Sequence, residues 1–259
     1  MGISPVKFLP DYACRVDGDK RNLDKVGVKN VEMYRKDWTD KRVMTSQSAF
    51  IPIHGSNGAH MSRLLRSIID VKDTPIELDD EFLIGLAGSH DCDTVYWECN
   101  WRTEYEGIPT FMMDISLEGS LVKGIPSWYL SFTVPYASVC PCSHEMVTSE
   151  GYGVPHMQRS KVTVTGELNG GELDWILADA VSKVIDAVQL VPESMMKRPD
   201  ELDWCQRAAK TNLFVEDAAR NVADRMDSVF ADWVVRAEHM ESIHQHNVVA
   251  VCKKGEKLI

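Results

Sequence analysis

A short polar segment in the middle of the chain carries residue types that bind transition metals. Cys140 and Cys142 flank a single proline, and His156 follows in the next polar stretch. A thiolate and an imidazole are both good ligands for a divalent metal, so the segment predicts a metal site. One Cys-x-Cys is not the doubled Cys-x-x-Cys pattern of a structural zinc site, and two core-lining thiols beside a loop histidine are the alternative interpretation.

A second polar segment, near the C-terminus, adds acid–base groups. Glu241, His244 and His246 follow one another closely. On a strand the two histidines would face the same side, with Glu241 on the opposite face unless the chain bends there. Histidine titrates near neutral pH and suits proton transfer, although a histidine pair on a strand is more often surface or core filler. Because a Cys/His segment lies elsewhere in the chain, a shared site is the stronger interpretation.

Two further carboxylates are ambiguous from sequence alone. Glu216 and Arg220 are spaced i, i+4 on a predicted helix, which by default indicates a solvated ion pair. Alternatively, a carboxylate near a helix start can accept two parallel N–H donors from a flat heterocycle such as guanine. Glu201, after a Lys-Arg-Pro-Asp segment, is either an exposed loop carboxylate or a hard oxygen ligand.

The elements that must position these residues form two similar halves. In the first half, apolar patterns predict strands and helices at 26–33, 49–53, 61–69, 81–86, 94–103 and 110–117. In the second half, which follows the turn region at 119–126, they predict strands and helices at 128–136, 161–168, 173–188, 215–226, 233–237 and 248–251. This order favours an α+β class with antiparallel sheets. We expect an irregular arm at 1–45, a first module at 46–125 and a second module at 126–259.

Composition limits the function classes. The 259 residues carry a formal net charge of −11, which argues against a general nucleic-acid binder because such proteins need a clustered excess of Lys and Arg. Seven cysteines make an odd number for a disulfide framework, so we expect reduced thiols. The sequence has no signal-peptide pattern and no apolar run long enough to cross a bilayer, so we expect a soluble, cytoplasmic chain with no membrane partner.

Taken together, the polar segments resemble one family, the type IB GTP cyclohydrolases. These are metal-dependent enzymes that open the pterin branch of folate biosynthesis. The matching blocks, in the family's order, are KVGVKNVE at 25–32, GSNGAHMSRLLR at 55–66, VCPCSHEM at 139–146, HMQRSKVTVTGEL at 156–168, KRPDE at 197–201, FVEDAARNVA at 214–223 and RAEHMESIHQH at 236–246.

The resemblance implies a fold, an assembly and a reaction. The fold is a tandem (bimodular) tunnelling fold, or T-fold, in which antiparallel sheets carry paired helices on one face. The assembly is a homotetramer with active sites between subunits. In the reaction, GTP and water give 7,8-dihydroneopterin triphosphate and formate: a metal-activated water attacks C8 of the purine, and histidines move the protons.

The resemblance also implies residue roles. The metal ligands are Cys140, His156, Glu201 and Glu241, with Cys142 ranked second to Cys140. The catalytic residues are Cys140, His244 and His246. Glu216 anchors the guanine edge, and the other substrate-binding residues are Gln158, Arg159, His60 and Arg63. A mixed set of soft and hard ligands suits a divalent metal ion, and zinc, manganese and iron(II) all fit.

Several positions depart from the family pattern. Thr148 to Pro155 carry an insertion, Met157 replaces the usual asparagine, and His144 stands where a lysine is common. The 55–60 stretch is shorter than its usual counterpart. These departures keep alternatives open: a relative that forms a cyclic-phosphate pterin, a paralogue acting on a related purine nucleotide, a nitrile reductase of the same superfold, and a T-fold binding protein without turnover.

Overall fold

A single antiparallel sheet forms the frame of the molecule. The computed structural model describes residues 21–55, 58–105, 111–193 and 195–256. The sheet has eight strands whose spatial order follows the chain order. The strands are β1 (Leu23–Lys36), β2 (Arg42–Ile53), β3 (Val95–Glu104), β4 (Met112–Val122), β5 (Ile125–Val139), β6 (Met157–Leu168), β7 (Trp233–His239) and β8 (Val248–Lys254).

Six helices lie within the described residues. They are α1 (Met61–Asp70), α2 (Asp80–Gly88), α3 (Pro141–Glu150), α4 (Leu173–Val188), α5 (Arg198–Ala208) and α6 (Val215–Met226). The predicted α+β class with an antiparallel sheet is therefore confirmed.

The core lies between one face of the sheet and four of the helices. Along β4, buried residues such as Met113, Ile115 and Leu117 alternate with more exposed ones, as expected for a strand with one packed face. Helix α4 turns a stripe that includes Leu177 and Val184 toward this core. Helices α1, α2, α4 and α6 all contribute buried side chains to the same apolar cluster.

The start of the sheet differs from the sequence-based expectation. Strand β1 covers Leu23–Lys36, which is longer than the strand expected at 26–33, and β2 begins at Arg42. The expected boundary between the arm and the first module, at residues 45 and 46, therefore falls inside β2. Strand β1 is an edge strand with many exposed charged residues, so its apolar alternation is weak. Residues 1–20 of the expected arm lie outside the described residues.

Helices α3 and α5 were missed by the apolar pattern, for a physical reason. Helix α3 has no buried residue among those described, and α5 buries only Ala208. A helix without an apolar face has no periodic signal in its sequence. Both helices still carry sequence marks at their starts, because Pro141 and Pro199 occupy the first turn, where proline is well tolerated.

The end of β5, the start of β6 and the end of β7 lie next to one another in the sheet. Val139 at the end of β5 pairs with Met157 at the start of β6. His239 at the end of β7 pairs with Ser160 of β6. Two segments are therefore brought together: the one that follows β5, which begins at Cys140, and the loop 240–247 that follows β7. In the described part of the chain, no helix is long and apolar enough to span a membrane.

Candidate functional site

A pocket of about 320 Å³ lies where these three strand ends meet. Several of the residues that line it are far apart in the sequence and were predicted to be functional from their side-chain chemistry. The lining residues are Cys140, Pro141, His156, Gln158, Leu213, Phe214, Val215, Glu216, His239, Glu241, His244, His246 and Val248.

The turn from β5 into α3 places Cys140 in this pocket. Cys140 is the residue that precedes the helix, and its backbone N–H donates to the carbonyl of His156 at 3.3 Å. The backbone N–H of His156 in turn donates to the Ser143 hydroxyl at 3.2 Å. These two bonds hold the thiol and imidazole segments side by side. Cys142 is exposed and does not line the pocket, whereas Cys140 does.

A chain of polar contacts connects His156, Gln158 and Glu241. His156 Nδ1 and Gln158 Oε1 are 3.0 Å apart, and Gln158 Nε2 donates to Glu241 Oε1 at 3.3 Å. Gln158 is buried, with 6% of its surface exposed. Two of the predicted metal ligands are thus joined through one buried amide.

Glu216 enters the pocket from the first turn of α6. Phe214 precedes the helix, and its backbone N–H donates to Asp217 at 3.3 Å. The Arg220 guanidinium lies 3.4 Å from Asp217, on the solvent side. The ion pair of Arg220 is therefore with Asp217 and not with Glu216, the partner that i, i+4 spacing had suggested. This arrangement favours the second interpretation of Glu216, as a carboxylate that faces a ligand.

The loop between β7 and β8 carries the histidine pair. Residues 242–246 form a series of bends between the two strands, so the case of a continuous strand that was considered from the sequence does not apply. The rings of His244 and His246 are stacked, with centroids 5.1 Å apart and planes at 11°. Because the chain bends here, Glu241 lines the same pocket as both histidines.

Comparison with known proteins decides the family. A sequence model described as type I GTP cyclohydrolase folE2 matches residues 9–250. The chain belongs to this family. Relatives named GTP cyclohydrolase FolE2 are 29% identical in Thiobacillus denitrificans (strain ATCC 25259 / T1), covering 96% of each chain, and 29% identical in Cupriavidus pinatubonensis, covering 99% of this chain and 97% of the relative.

One solved structure supports the fold. Uricase from Arthrobacter globiformis is similar with a TM-score of 0.55 at 8% identity, covering 90% of this chain and 94% of the uricase chain. At this identity the likeness concerns the fold alone. It shows that an α+β frame of this kind is shared across very different sequences.

Four residues assigned through the type I GTP cyclohydrolase resemblance do not line this pocket. Glu201 is exposed in the first turn of α5, and Arg159 is exposed on β6. Successive residues of a strand point to opposite faces, so Arg159 and its neighbour Gln158 diverge. His60 and Arg63 lie at the start of α1, in the first half of the chain. Their roles stay predictions.

His239 is a site residue that was not predicted from the sequence. This residue is 3% exposed, lines the pocket, and places its Nε2 2.7 Å from the Tyr136 hydroxyl. Burial lowers the pKa of His239 to about 4, with the charge of Glu216 acting in the opposite direction. The ring is therefore neutral at neutral pH. Its position gave one sequence signal, because His239 ends an alternating strand two residues before Glu241. Its contact with Tyr136 could not be predicted, because the two residues are far apart in the sequence.

The pocket suits a divalent metal in its donor chemistry. Cys140, His156 and Glu241 offer a thiolate, an imidazole and a carboxylate on one lining. Three protein ligands with an open position are typical of catalytic zinc sites. Within the residues that the structure describes, no group of three such side chains is already close enough to hold an ion. A metal held by all three side chains would require them to move closer together.

Proposed function

We propose that this chain is a GTP cyclohydrolase that converts GTP and water to 7,8-dihydroneopterin triphosphate and formate. One observation carries the proposal: a single pocket holds Glu216, the Cys140–His156–Glu241 donor set and the His244–His246 pair. Membership of the type I GTP cyclohydrolase folE2 family supports it.

Guanine recognition falls to Glu216 in this proposal. Its carboxylate can accept from the ring N–H and the exocyclic amine of guanine, both on one edge of the base. The first turn of a helix favours a negative charge, since it carries the positive end of the helix dipole. Because Arg220 contacts Asp217, its guanidinium does not compete for this carboxylate.

Metal binding falls to Cys140, His156 and Glu241, with Glu201 as a fourth ligand if α5 or a second subunit brings it to the pocket. The set accepts zinc, manganese or iron(II). When bound, such a metal makes water a usable nucleophile near neutral pH. Cys142 is a poorer candidate than Cys140, since it is exposed outside the lining.

Proton transfer falls to His244 and His246. Both are exposed at the pocket, so solvent can exchange protons with them between turnovers. Opening the imidazole ring requires protons at ring nitrogens and removal of one from the attacking water. General acid–base groups of this kind contribute roughly 10²- to 10⁴-fold in rate.

In this proposal, the triphosphate is bound by residues that do not line the pocket of their own chain. His60, Arg63 and Arg159 are the candidates, and a neighbouring subunit would have to supply some of them. With a net charge of −11, the attraction for a polyanion must be local. A homotetramer with active sites between subunits is therefore part of the proposal.

The tandem T-fold is the fold proposal. Its support is the element order: β1-β2-α1-α2-β3-β4 is followed by β5-β6-α4-α6-β7-β8, with α3 and α5 inserted in the second unit. Each unit is two strands, two helices and two strands. Cytoplasmic location and a role in tetrahydrofolate synthesis complete the proposal.

The test uses metal-depleted full-length chain. We expect GTP-dependent pterin fluorescence to appear when manganese or zinc is returned, and Glu216→Ala to abolish it. Asp224→Ala, on the exposed side of the same helix, is the matched control and retains activity. Full activity of Glu216→Ala contradicts the guanine anchor, and inactivity with every divalent metal contradicts the enzyme proposal.

Mass spectrometry of the product separates the related activities. A triphosphate ester supports the proposed reaction, whereas a cyclic phosphate or the absence of a pterin favours a paralogous reaction. Segment 151–154 lies in the inserted stretch and is exposed, with Tyr152 76% and Val154 87% exposed, so a change of substrate through this stretch is the alternative that the product mass tests.

A further inference from the structure

Gln158 occupies an unusual position for a substrate-binding residue. Its side chain is 6% exposed, and both ends of its amide are already engaged by other residues of the site. Oε1 lies 3.0 Å from His156 Nδ1, and Nε2 lies 3.3 Å from Glu241 Oε1. The amide therefore bridges two residues of the proposed metal site.

Glu241 fixes the orientation of this amide. An ionised carboxylate only accepts hydrogen bonds, whereas an amide has a donating end and an accepting end. The NH₂ group must face Glu241, because the reverse orientation would place the amide oxygen against a negative charge. The accepting end is left for His156.

The amide orientation in turn selects one tautomer of His156. Since Oε1 only accepts, Nδ1 of His156 must carry the proton, and in the neutral ring Nε2 then holds the lone pair. A metal-ligating histidine needs one such bare nitrogen, and the hydrogen bond at the other nitrogen decides which one it is. The glutamine thus sets the ring in a metal-binding form before any metal arrives.

We propose that Gln158 is a positioning residue: oriented by Glu241, it holds His156 in the tautomer that binds metal through Nε2. The inference rests on the proposed function, which supplies the metal. It gives Gln158 a role different from the substrate contact that the family resemblance implied.

The first measurement reads the tautomer in metal-free, full-length protein. Long-range ¹H–¹⁵N NMR of the histidine rings distinguishes the two forms, and His156→Asn identifies the resonances. We expect Nδ1–H in the wild type and a shift toward Nε2–H in Gln158→Leu. Gln158→Glu is the second variant: its carboxylate still accepts from Nδ1–H but offers Glu241 no donor, so the Nδ1–H form is retained.

The matched control is Gln47→Leu. Gln47 is also buried, accepts from Trp97 Nε1 at 3.2 Å and donates to Thr45 at 3.2 Å, but it lies outside the pocket lining. Losing a buried amide destabilises both leucine variants. Only the change at 158 is expected to alter the His156 tautomer.

The second measurement is Zn²⁺ affinity by competition with a chromophoric chelator. We expect Gln158→Leu to bind about 10- to 100-fold more weakly than the wild type, as is usual when the partner of a ligating histidine is lost. Gln47→Leu should bind as the wild type does.

The outcomes separate the two proposals. An Nε2–H wild-type ring, or unchanged tautomer and zinc affinity in Gln158→Leu, overturns the role of Gln158. If Gln158→Leu raises the KM for GTP but leaves the His156 tautomer and the zinc affinity unchanged, the positioning role is also overturned, and a substrate contact is favoured. A wild-type protein that binds neither zinc nor manganese contradicts the metal site of the proposed function, while the tautomer measurement still decides what Gln158 does.

Discussion

At the scale of single residues, burial separates thiols that can react from thiols that only pack. Cys99 is fully buried, and burial raises its pKa to about 12. Cys142 and Cys205 are exposed, and Cys140 is half-buried at the pocket. The chain therefore combines core thiols and site thiols, which composition alone treats alike.

Alkylation should distinguish these thiols. With iodoacetamide at pH 8, we expect native protein to be labelled at Cys142 and Cys205 but not at Cys99, since its thiol is buried and protonated. Added Zn²⁺ should protect Cys140 without protecting Cys205. Peptide mass spectrometry gives the labelled fraction at each cysteine, and urea-unfolded protein labelled at all positions is the control. Labelling of native Cys99 would contradict its placement, and equal labelling of Cys140 with and without zinc would count against its role as ligand.

At the scale of elements, α6 connects the core to the site. One side of the helix is buried through small residues that include Ala218, Ala219 and Ala223, which lets it lie close to the sheet and α4. The first turn of the same helix presents Glu216 to the pocket. The position of the carboxylate thus depends on how closely the helix packs.

Overpacking this helix should reduce both stability and substrate binding. Ala218 is fully buried, so Ala218→Leu forces α6 away from the core at an expected cost of about 1–3 kcal/mol. Displacement of Glu216 should then raise the KM for GTP. Urea unfolding measures the first effect and steady-state kinetics the second. Asp224→Leu adds the same side chain at an exposed position of α6 and should change neither quantity; equal stability of the two variants would show that Ala218 is not tightly packed.

At the scale of the whole molecule, the sheet of the single chain has two edge strands, and its pocket lacks the candidate phosphate-binding residues. Strands β1 and β8 are at the two edges of the sheet, and β8 exposes Val249 and Val251 at 43% and 60%. Exposed strand edges favour pairing with another chain. His60 and Arg63, the candidates for phosphate binding, do not line the pocket of their own chain. Assembly would account for both features.

Complementation between two inactive variants tests a site shared by subunits. We expect Glu216→Ala and Arg63→Ala each to be inactive when expressed alone. Co-expressed, they should regain activity, since random mixing leaves about a quarter of the shared sites with both residues intact. Light scattering should give a tetramer of the 29.2 kDa chain. A monomer, or no recovery in proven mixed oligomers, contradicts the shared site.

Much of the fold was predictable because packing leaves a periodic trace. The core-facing stripe of α4 and the alternation of β3 to β6 identify those elements from sequence. Helices α3 and α5 were not predictable in this way, since they bury almost nothing. Strand β1 was only partly visible because an edge strand needs fewer apolar residues.

The sequence by itself determined which chemical groups are present: a thiol at Cys140, carboxylates at Glu216 and Glu241, and imidazoles at His156, His244 and His246. It also identified the family resemblance that gave them roles. Only the tertiary structure decided that they share one pocket, since their contact depends on the register of β5, β6 and β7 and on the bend after β7. It alone placed the amide of Gln158 between a carboxylate and an imidazole, because hydrogen-bond direction depends on the positions of atoms in space and not on their order along the chain.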